Sequence, residues 1–466
     1  MIENKASRET IDSLINNAMS TILNSELLLK RTEMIKSNLS SSNEIQNILL
    51  LFELLSGSLC ALYEVCIDMK NMLSTDNLYI KRFHMQMINL SQCELCVFLL
   101  GNDELGVLHR LFNCPDYSSK GYKKIEEIQK YVKLLSAQCD VKLRNITAHY
   151  DKPDKMYSML ITLNSEDIYA KRIGDQISIH NNIVKFISPI IQIFTEKLSL
   201  NNIEKCEVQS ILNDKVSDAF HKKAKLEMII SEQIFNAWRN IELHKKTYTI
   251  CEKLIGYCND MQIEYSRFAE ILSLEELRWE ISFLRYDLIC SMNSYLKAST
   301  NIERSICLMR VYRIETSALT HLYGYNKSKN LKSIWTKVKT IQEFKSIPLS
   351  IQIEEELKSL TSSLYSYKRN LYTHYRDSKK LNISEKWQLA NNMLHPNELI
   401  DIQRLLQLCK NINQFILLLI SSINSVEKQR NEEILTPIRK FQELARRNNQ
   451  EEIVDLLDKS LSSIYL

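Results

Sequence analysis

The chain has 466 residues, 45% hydrophobic and 25% charged, a soluble globular balance with room for two to four domains. Its net charge of +4 excludes a protein coated in basic residues, so any nucleic-acid surface must be a local patch. With only seven glycines and six prolines, and no Val/Thr-rich alternation, the composition argues against a phosphate-cradling P-loop or GxGxxG turn and predicts an all-α fold.

Residues 1 to 9 are a polar start without the pattern of a secretory signal, so the twelve cysteines are expected to be reduced thiols of a cytoplasmic protein. Apolar residues at helical spacing (Ile11, Leu14, Ile15, Ala18, Ile22, Leu29) predict one helix over Glu9 to Ser37. The Ser/Asn-rich stretch Asn38 to Asn43 reads as a loop that caps a second helix, Ile45 to Leu73. Thr75-Asp76-Asn77 breaks that helix, and a third runs from Tyr79 to Leu100, stopped by Gly101. Within it, Cys93 and Cys96 have CxxC spacing with no second pair nearby. They read first as core-facing residues, with zinc or redox chemistry the alternative.

Asn102 to Gly121 is expected to be irregular. Lys123 to Tyr150 reads as a fourth helix, ended by Asp151 to Asp154 with Pro153. Tyr157 to Thr162 is ambiguous between a strand and a helical turn, and Asn182 to Leu198 is an apolar helix. Asn47 to Ile67 carries Glu53 and Glu64, and Phe415 to Ile423 is too short to span a bilayer, so both read as buried bundle helices and no membrane is expected.

One heptapeptide organises the rest. Arg144-Asn145-Ile146-Thr147-Ala148-His149-Tyr150 and Arg369-Asn370-Leu371-Tyr372-Thr373-His374-Tyr375 share the form R-N-x-x-x-H-Y and lie 225 residues apart. Their flanks repeat as well. Ile234 to Ile241 echoes Ile15 to Ile22, Ile302-Glu303-Arg304 echoes Ile80-Lys81-Arg82, Met309 answers Met87, and Gly324 closes a helix as Gly101 does. The chain therefore reads as a tandem duplication: a first helical domain over 1–200, a linker over 201–218, a second helical domain over 219–424 and a C-terminal helical extension over 425–466. Thr436-Pro437 opens a helix of that extension, since proline is tolerated in a first turn.

On a helix, Asn145 and His149 share a face, as do Asn370 and His374, and the arginine five before each histidine can curl toward the same mouth. Arginine binds phosphate bidentately, histidine titrates near neutrality and exchanges protons, and the amide can orient either. No carboxylate cluster accompanies either copy, so neither a metal nor a cofactor is expected. Lys368, Arg376, Lys379 and Lys380 surround the second copy and form a candidate RNA-binding patch, against the blander reading of a solvated face. Of the remaining histidines, His84 and His321 read as packing residues. His109, His180, His221, His244 and His395 read as surface or satisfied-core residues, and the four tryptophans as core, with Trp387 near the second motif.

R-N-x-x-x-H on an all-helical chain resembles the signature of the HEPN superfamily, many of whose members are metal-independent ribonucleases of toxin, abortive-infection and type VI CRISPR systems. The resemblance covers the short motif and the helical character. In some HEPN toxins a tyrosine follows as His-x-Tyr, whereas here Tyr150 and Tyr375 follow the histidine directly, so the family assigns them no role.

The resemblance implies two HEPN-like bundles paired as an intramolecular pseudo-dimer, with higher oligomers open. It also implies one composite site built from Arg144, His149, Arg369 and His374, supported by Asn145 and Asn370, with Tyr150 and Tyr375 read as supporting from their place beside the histidines. The implied reaction is cleavage of single-stranded RNA by 2′-OH transesterification, with an antitoxin or activating protein as a further partner. The alternatives are a non-catalytic helical scaffold that keeps the fold, or a nuclease silent until a partner activates it.

Overall fold

A computed structural model describes residues 42–101, 106–113, 119–140, 153–163, 166–198, 223–260, 266–298, 301–323, 333–363, 397–430, 432–448, 450–455 and 457–458, with scattered positions of 13–39. The described positions of 13–38 are helical. The helices that follow are α1 (Ser42–Leu73), α2 (Leu78–Leu100), α3 (Val107–Phe112), α4 (Ser119–Gln138), α5 (Pro153–Thr162) and α6 (Glu166–Lys197). The later part of the chain adds α7 (Lys223–Asp260), α8 (Ser266–Lys297), α9 (Asn301–Tyr323), α10 (Ile334–Val338), α11 (Leu349–Ser363), α12 (Asn397–Arg430) and α13 (Glu432–Arg447). No strand occurs among the described residues, in keeping with the all-α expectation. The linker expected at 201–218 lies outside the described residues.

With α5 (10 residues) set aside, the order of helix lengths recurs. The series α1, α2, α3, α4 and α6 has 32, 23, 6, 20 and 32 residues. The series α8, α9, α10, α11 and α12 has 32, 23, 5, 15 and 34.

Local chemistry sets the ends of α2. Asn77 caps its start, its Oδ1 accepting from the amides of Tyr79 at 2.9 Å and Ile80 at 3.4 Å. Gly101 ends it at φ 75°, a conformation that disfavours any side chain, with its N–H on the Val97 carbonyl at 2.8 Å. At Gly106 the constraint is space, because a β-carbon would collide with the backbone of Leu99 and Leu100.

Five expectations are corrected, one of them in the extension, where Thr436-Pro437 lies inside α13, which begins at Glu432, instead of opening a helix. The segment 102–121 is not irregular throughout: it holds α3, whose Val107, Leu108 and Leu111 are fully buried, and the start of α4. The fourth helix ends at Gln138 rather than running to Tyr150, because Asn89 captures both backbone groups of Asp140. Pro153 opens α5 instead of terminating a helix, using the first-turn position where its missing N–H costs nothing. Finally, the apolar helix expected from Asn182 begins at Glu166, while Tyr157 to Thr162, left open between strand and helical turn, is helical within α5.

Two large cores form beside a small cluster of Ile250, Leu254 and Leu457, and each large core takes residues from both halves. The first is built on α1, α2, α4 and α6, and it also takes Ile306, Cys307, Leu308 and Met309 of α9. The second is built on α7, α8, α9, α11 and α12, and it takes Ile80, Phe83, Met87 and Leu90 of α2 with Met156 and Leu160 of α5. Helix α2 is therefore buried nearly all round, as expected of a helix without a solvent face. At about 1.5–3 kcal/mol for each large apolar side chain removed from water, these exchanged residues hold the halves together strongly.

Charge seals the same seam. Arg310 of α9 pairs bidentately with Asp68 of α1, at 2.6 Å to Oδ1 and 2.5 Å to Oδ2, and donates to the Glu64 carbonyl at 2.9 Å. Two helices, Glu44–Leu73 and Gln403–Ser425, are long and apolar enough by composition to cross a membrane. The first is 83% buried inside the protein, which is what a core helix shows, and the second extends beyond the short run read from the sequence.

Candidate functional site

The motif residues Arg144, Asn145, His149, Tyr150, Arg369, Asn370, His374 and Tyr375 lie outside the described residues, as do Lys368, Arg376, Lys379, Lys380 and Trp387. What the structure gives is how the chain enters and leaves each motif-bearing connection.

The first connection starts from a buried polar clamp. Asn89, Gln92, Cys93 and Cys96 fall at i, i+3, i+4 and i+7 on α2 and so share one stripe of that helix. The Asn89 Nδ2 donates to the Asp140 carbonyl at 2.9 Å, and the Asp140 N–H donates back to Asn89 Oδ1 at 3.0 Å. Arg172 of α6 donates to the same Oδ1 at 2.9 Å, and the amide of Gln92 donates to Gln176 at 3.2 Å. The chain is thus fixed four residues before Arg144.

It is fixed again after the motif. The Tyr157 ring of α5 stacks on Trp238 of α7, centroids 5.9 Å apart, under the Lys245 ammonium at 4.0 Å. Arg82 of α2 donates to the Ile161 carbonyl at 3.1 Å. The chain is therefore held against α2 and α6 at Asp140, and against α7 and α8 where α5 packs on the second core.

The second connection leaves α11, whose Leu357 and Leu360 are fully buried, and returns at α12. Here the two helices are tied by Arg404, which donates to Glu356 at 2.9 Å and to the Ser359 hydroxyl at 3.0 Å.

The described histidines are structural. His84 is sealed from solvent, donating from Nδ1 to Asp68 at 2.8 Å, and burial lowers its pKa against the pull of that carboxylate, so the ring is neutral. A histidine–aspartate pair with no exposure to solvent has no path to a substrate. His180 lies between Ser25 and Ser58, with Nε2 at 2.6 Å and Nδ1 at 2.8 Å from the hydroxyls, and burial pushes its pKa down to about 3. Each serine hydroxyl also reaches a backbone carbonyl, Ser25 on Thr21 at 2.7 Å and Ser58 on Leu55 at 3.1 Å, and the neutral ring donates to one serine and accepts from the other.

In the second half, His244 and Arg278 flank Glu275 at 3.8 and 2.7 Å. Burial pushes that carboxyl up, but its two partners outweigh it and hold the pKa below the usual range. His321 pairs with Glu280 at 2.9 Å beside a shallow notch, and His109 is half-buried in α3. Trp238, Trp279 and Trp335 are core residues as expected, while His221 and His395 lie outside the described residues.

Two networks were missed at the sequence level: Asn89–Asp140–Arg172 and Asp68–Arg310. Polar residues on a helix otherwise read as buried were the available signal, since a buried polar group needs a partner. Among the described residues, no three His, Cys, Asp or Glu side chains are grouped as a metal ion requires. No known family model, curated protein or solved structure matches this chain.

Proposed function

We propose that the chain is a metal-independent endoribonuclease that cleaves single-stranded RNA at a composite site drawn from both motif copies. One observation carries this reading. The heptapeptide R-N-x-x-x-H-Y occurs twice, and each copy lies between the medium helix and the long closing helix of a repeated series. The seating of α5, the helix that follows the first motif, on the second core supports it further. Two motifs in one chain meet at high effective concentration, so the site needs no self-association.

In this reading one of His149 and His374 takes the proton of a ribose 2′-hydroxyl. The oxygen attacks the adjacent phosphorus, and the other histidine or water protonates the leaving 5′-oxygen. Arg144 and Arg369 stabilise the charge that builds on the phosphorane, with Asn145 and Asn370 orienting the side chains. The product carries a 2′,3′-cyclic phosphate, and DNA, which has no 2′-hydroxyl, survives. Lys368, Arg376, Lys379 and Lys380 guide the RNA backbone. The setting is a cytoplasmic toxin or defence system, in which a partner protein restrains or triggers the nuclease.

The test is cleavage of a labelled single-stranded RNA in EDTA, with matching DNA as control. His149→Ala and His374→Ala are each expected to lower the rate about 10²–10⁴-fold. The double variant is expected to be no worse than either single, as for residues that act as a unit. Cleavage that survives in both single variants would reject the composite site. A folded wild type that cuts nothing, alone or with cell extract, would favour a helical scaffold.

A further inference from the structure

Arg172 is 3% exposed, yet among the described residues no carboxylate pairs with it. Its contacts are the Asn89 Oδ1 at 2.9 Å, the Tyr169 ring face at 5.2 Å and the Cys139 sulfur at 3.4 Å. A guanidinium does not give up its proton, and at 3.4 Å from the Cys139 sulfur its charge favours the thiolate over the thiol.

The thiols around Cys139 complete the picture. Cys93 and Cys96, one helical turn apart on α2, lie on the stripe that packs against this end of α4, the Cys96 sulfur 3.9 Å from the Val132 carbonyl. The Cys93 sulfur also lies 3.8 Å from the carbonyl of Asp140, the neighbour of Cys139 in sequence. Hydrogen bonds from Cys93 and Cys96, followed by the Arg172 charge, hold the Cys139 pKa well below the ordinary thiol value. The hydrogen bond to Cys139 and burial hold Cys96 protonated. The other groups facing the cluster are the Asp140 carboxylate and the Tyr169 phenol, whose pKa burial pushes up to about 12. Cys93 and Cys96 are buried, whereas Cys139 is partly exposed, so a small reagent meets Cys139 first.

We propose that Cys139 is a peroxide-reactive cysteine whose oxidation is resolved by the Cys93–Cys96 pair, forming an intramolecular disulfide between α2 and the end of α4. The Cys139 sulfur attacks the O–O bond of a hydroperoxide. An S–O bond forms, the O–O bond breaks, and the departing oxygen takes up the proton released by the thiol. The sulfur is oxidised by two electrons to sulfenic acid and the hydroperoxide is reduced to an alcohol, or to water from hydrogen peroxide. A neighbouring thiol then attacks the sulfenic sulfur. The S–S bond forms, the S–O bond breaks, and hydroxide leaves with that thiol's proton as water. The proposal does not rest on RNA cleavage and would stand if the chain cut no RNA.

The test treats the full-length folded protein with equimolar hydrogen peroxide and maps its peptides by mass spectrometry with dimedone present. The expected result is a disulfide from Cys139 to Cys93 or Cys96 in the wild type, formed before the remaining cysteines react. In Cys93→Ala/Cys96→Ala, dimedone is expected to trap Cys139 as sulfenic acid. Arg172→Gln is expected to slow its oxidation about tenfold or more, since the thiolate is the reacting form. Circular dichroism identifies any variant that fails to fold, in which case the wild-type map alone decides. A folded wild type in which Cys139 stays reduced, or reacts no faster than the other cysteines, would overturn the proposal.

Discussion

The two motif-bearing connections leave their bundles in different ways. The first departs from a buried clamp, with Asn89 holding both backbone groups of Asp140 and Arg172 bracing Asn89 from α6. The second departs from α11 and returns at α12, where the tie is Arg404 on Glu356, an ion pair with side chains 36% and 34% exposed. Counting from the starts of α2 and α9, the places of Asn89, Cys93 and Cys96 are taken by Tyr312, Thr316 and Leu319. The Asn89, Cys93 and Cys96 stripe of α2 therefore has no counterpart at these positions of α9.

The largest effect is expected at the seam the halves share. Arg310→Ala leaves the Asp68 carboxylate buried without its charged partner, and about 3–5 kcal/mol of stability should be lost in denaturant unfolding. Retention of wild-type stability would mean that the halves are not joined through this pair.

Asn89→Ala addresses the buried clamp. It leaves the Asp140 N–H and carbonyl without their partners, and a loss of about 1–3 kcal/mol is expected. Amide exchange at residues 138–140 should accelerate, while exchange at the end of α11 should not change. Equal acceleration at both places would erase the contrast between the two connections.

Acid should act on the first half through His180. Its folded pKa of about 3 lies below the ordinary value of 6.5, so between those limits the unfolded chain binds the extra proton. The stabilisation is complete above about pH 6.5 and declines as pH falls through the window, by up to about 1.4 kcal/mol per pH unit. His180→Gln should make the pH dependence of unfolding shallower by one proton, and an unchanged slope would show that His180 is protonated in the fold. The smallest effect is expected at the exposed tie, where Arg404→Ala should cost only about 0.2–1 kcal/mol.

Much of the helical order was legible because it rests on local signals. Thr75-Asp76-Asn77 and Gly101 mark the ends of α1 and α2 through capping and positive-φ chemistry, which a few neighbouring residues decide. The reading failed where a distant side chain overrode local preference. Nothing between Lys123 and Tyr150 announces that the helix stops at Gln138, because the residue that stops it, Asn89, comes from another helix. Pro153 was misread for a related reason: a proline marks a boundary, but whether it opens or closes a helix depends on which side is packed. Met156 and Leu160 are drawn into the second core, so here it opens one.

The sequence by itself determined the all-α class, most helix boundaries and the twofold recurrence of R-N-x-x-x-H-Y, since composition, periodicity and capping act over a few residues. Only the tertiary structure decided which partners the buried polar groups take. Asp68 with Arg310, Asn89 with Asp140, and Cys139 with Arg172 join residues from 33 to 242 positions apart. No local pattern encodes such pairings, because what selects them is the cost of leaving a charge or a backbone group unpaired once the helices have closed around it.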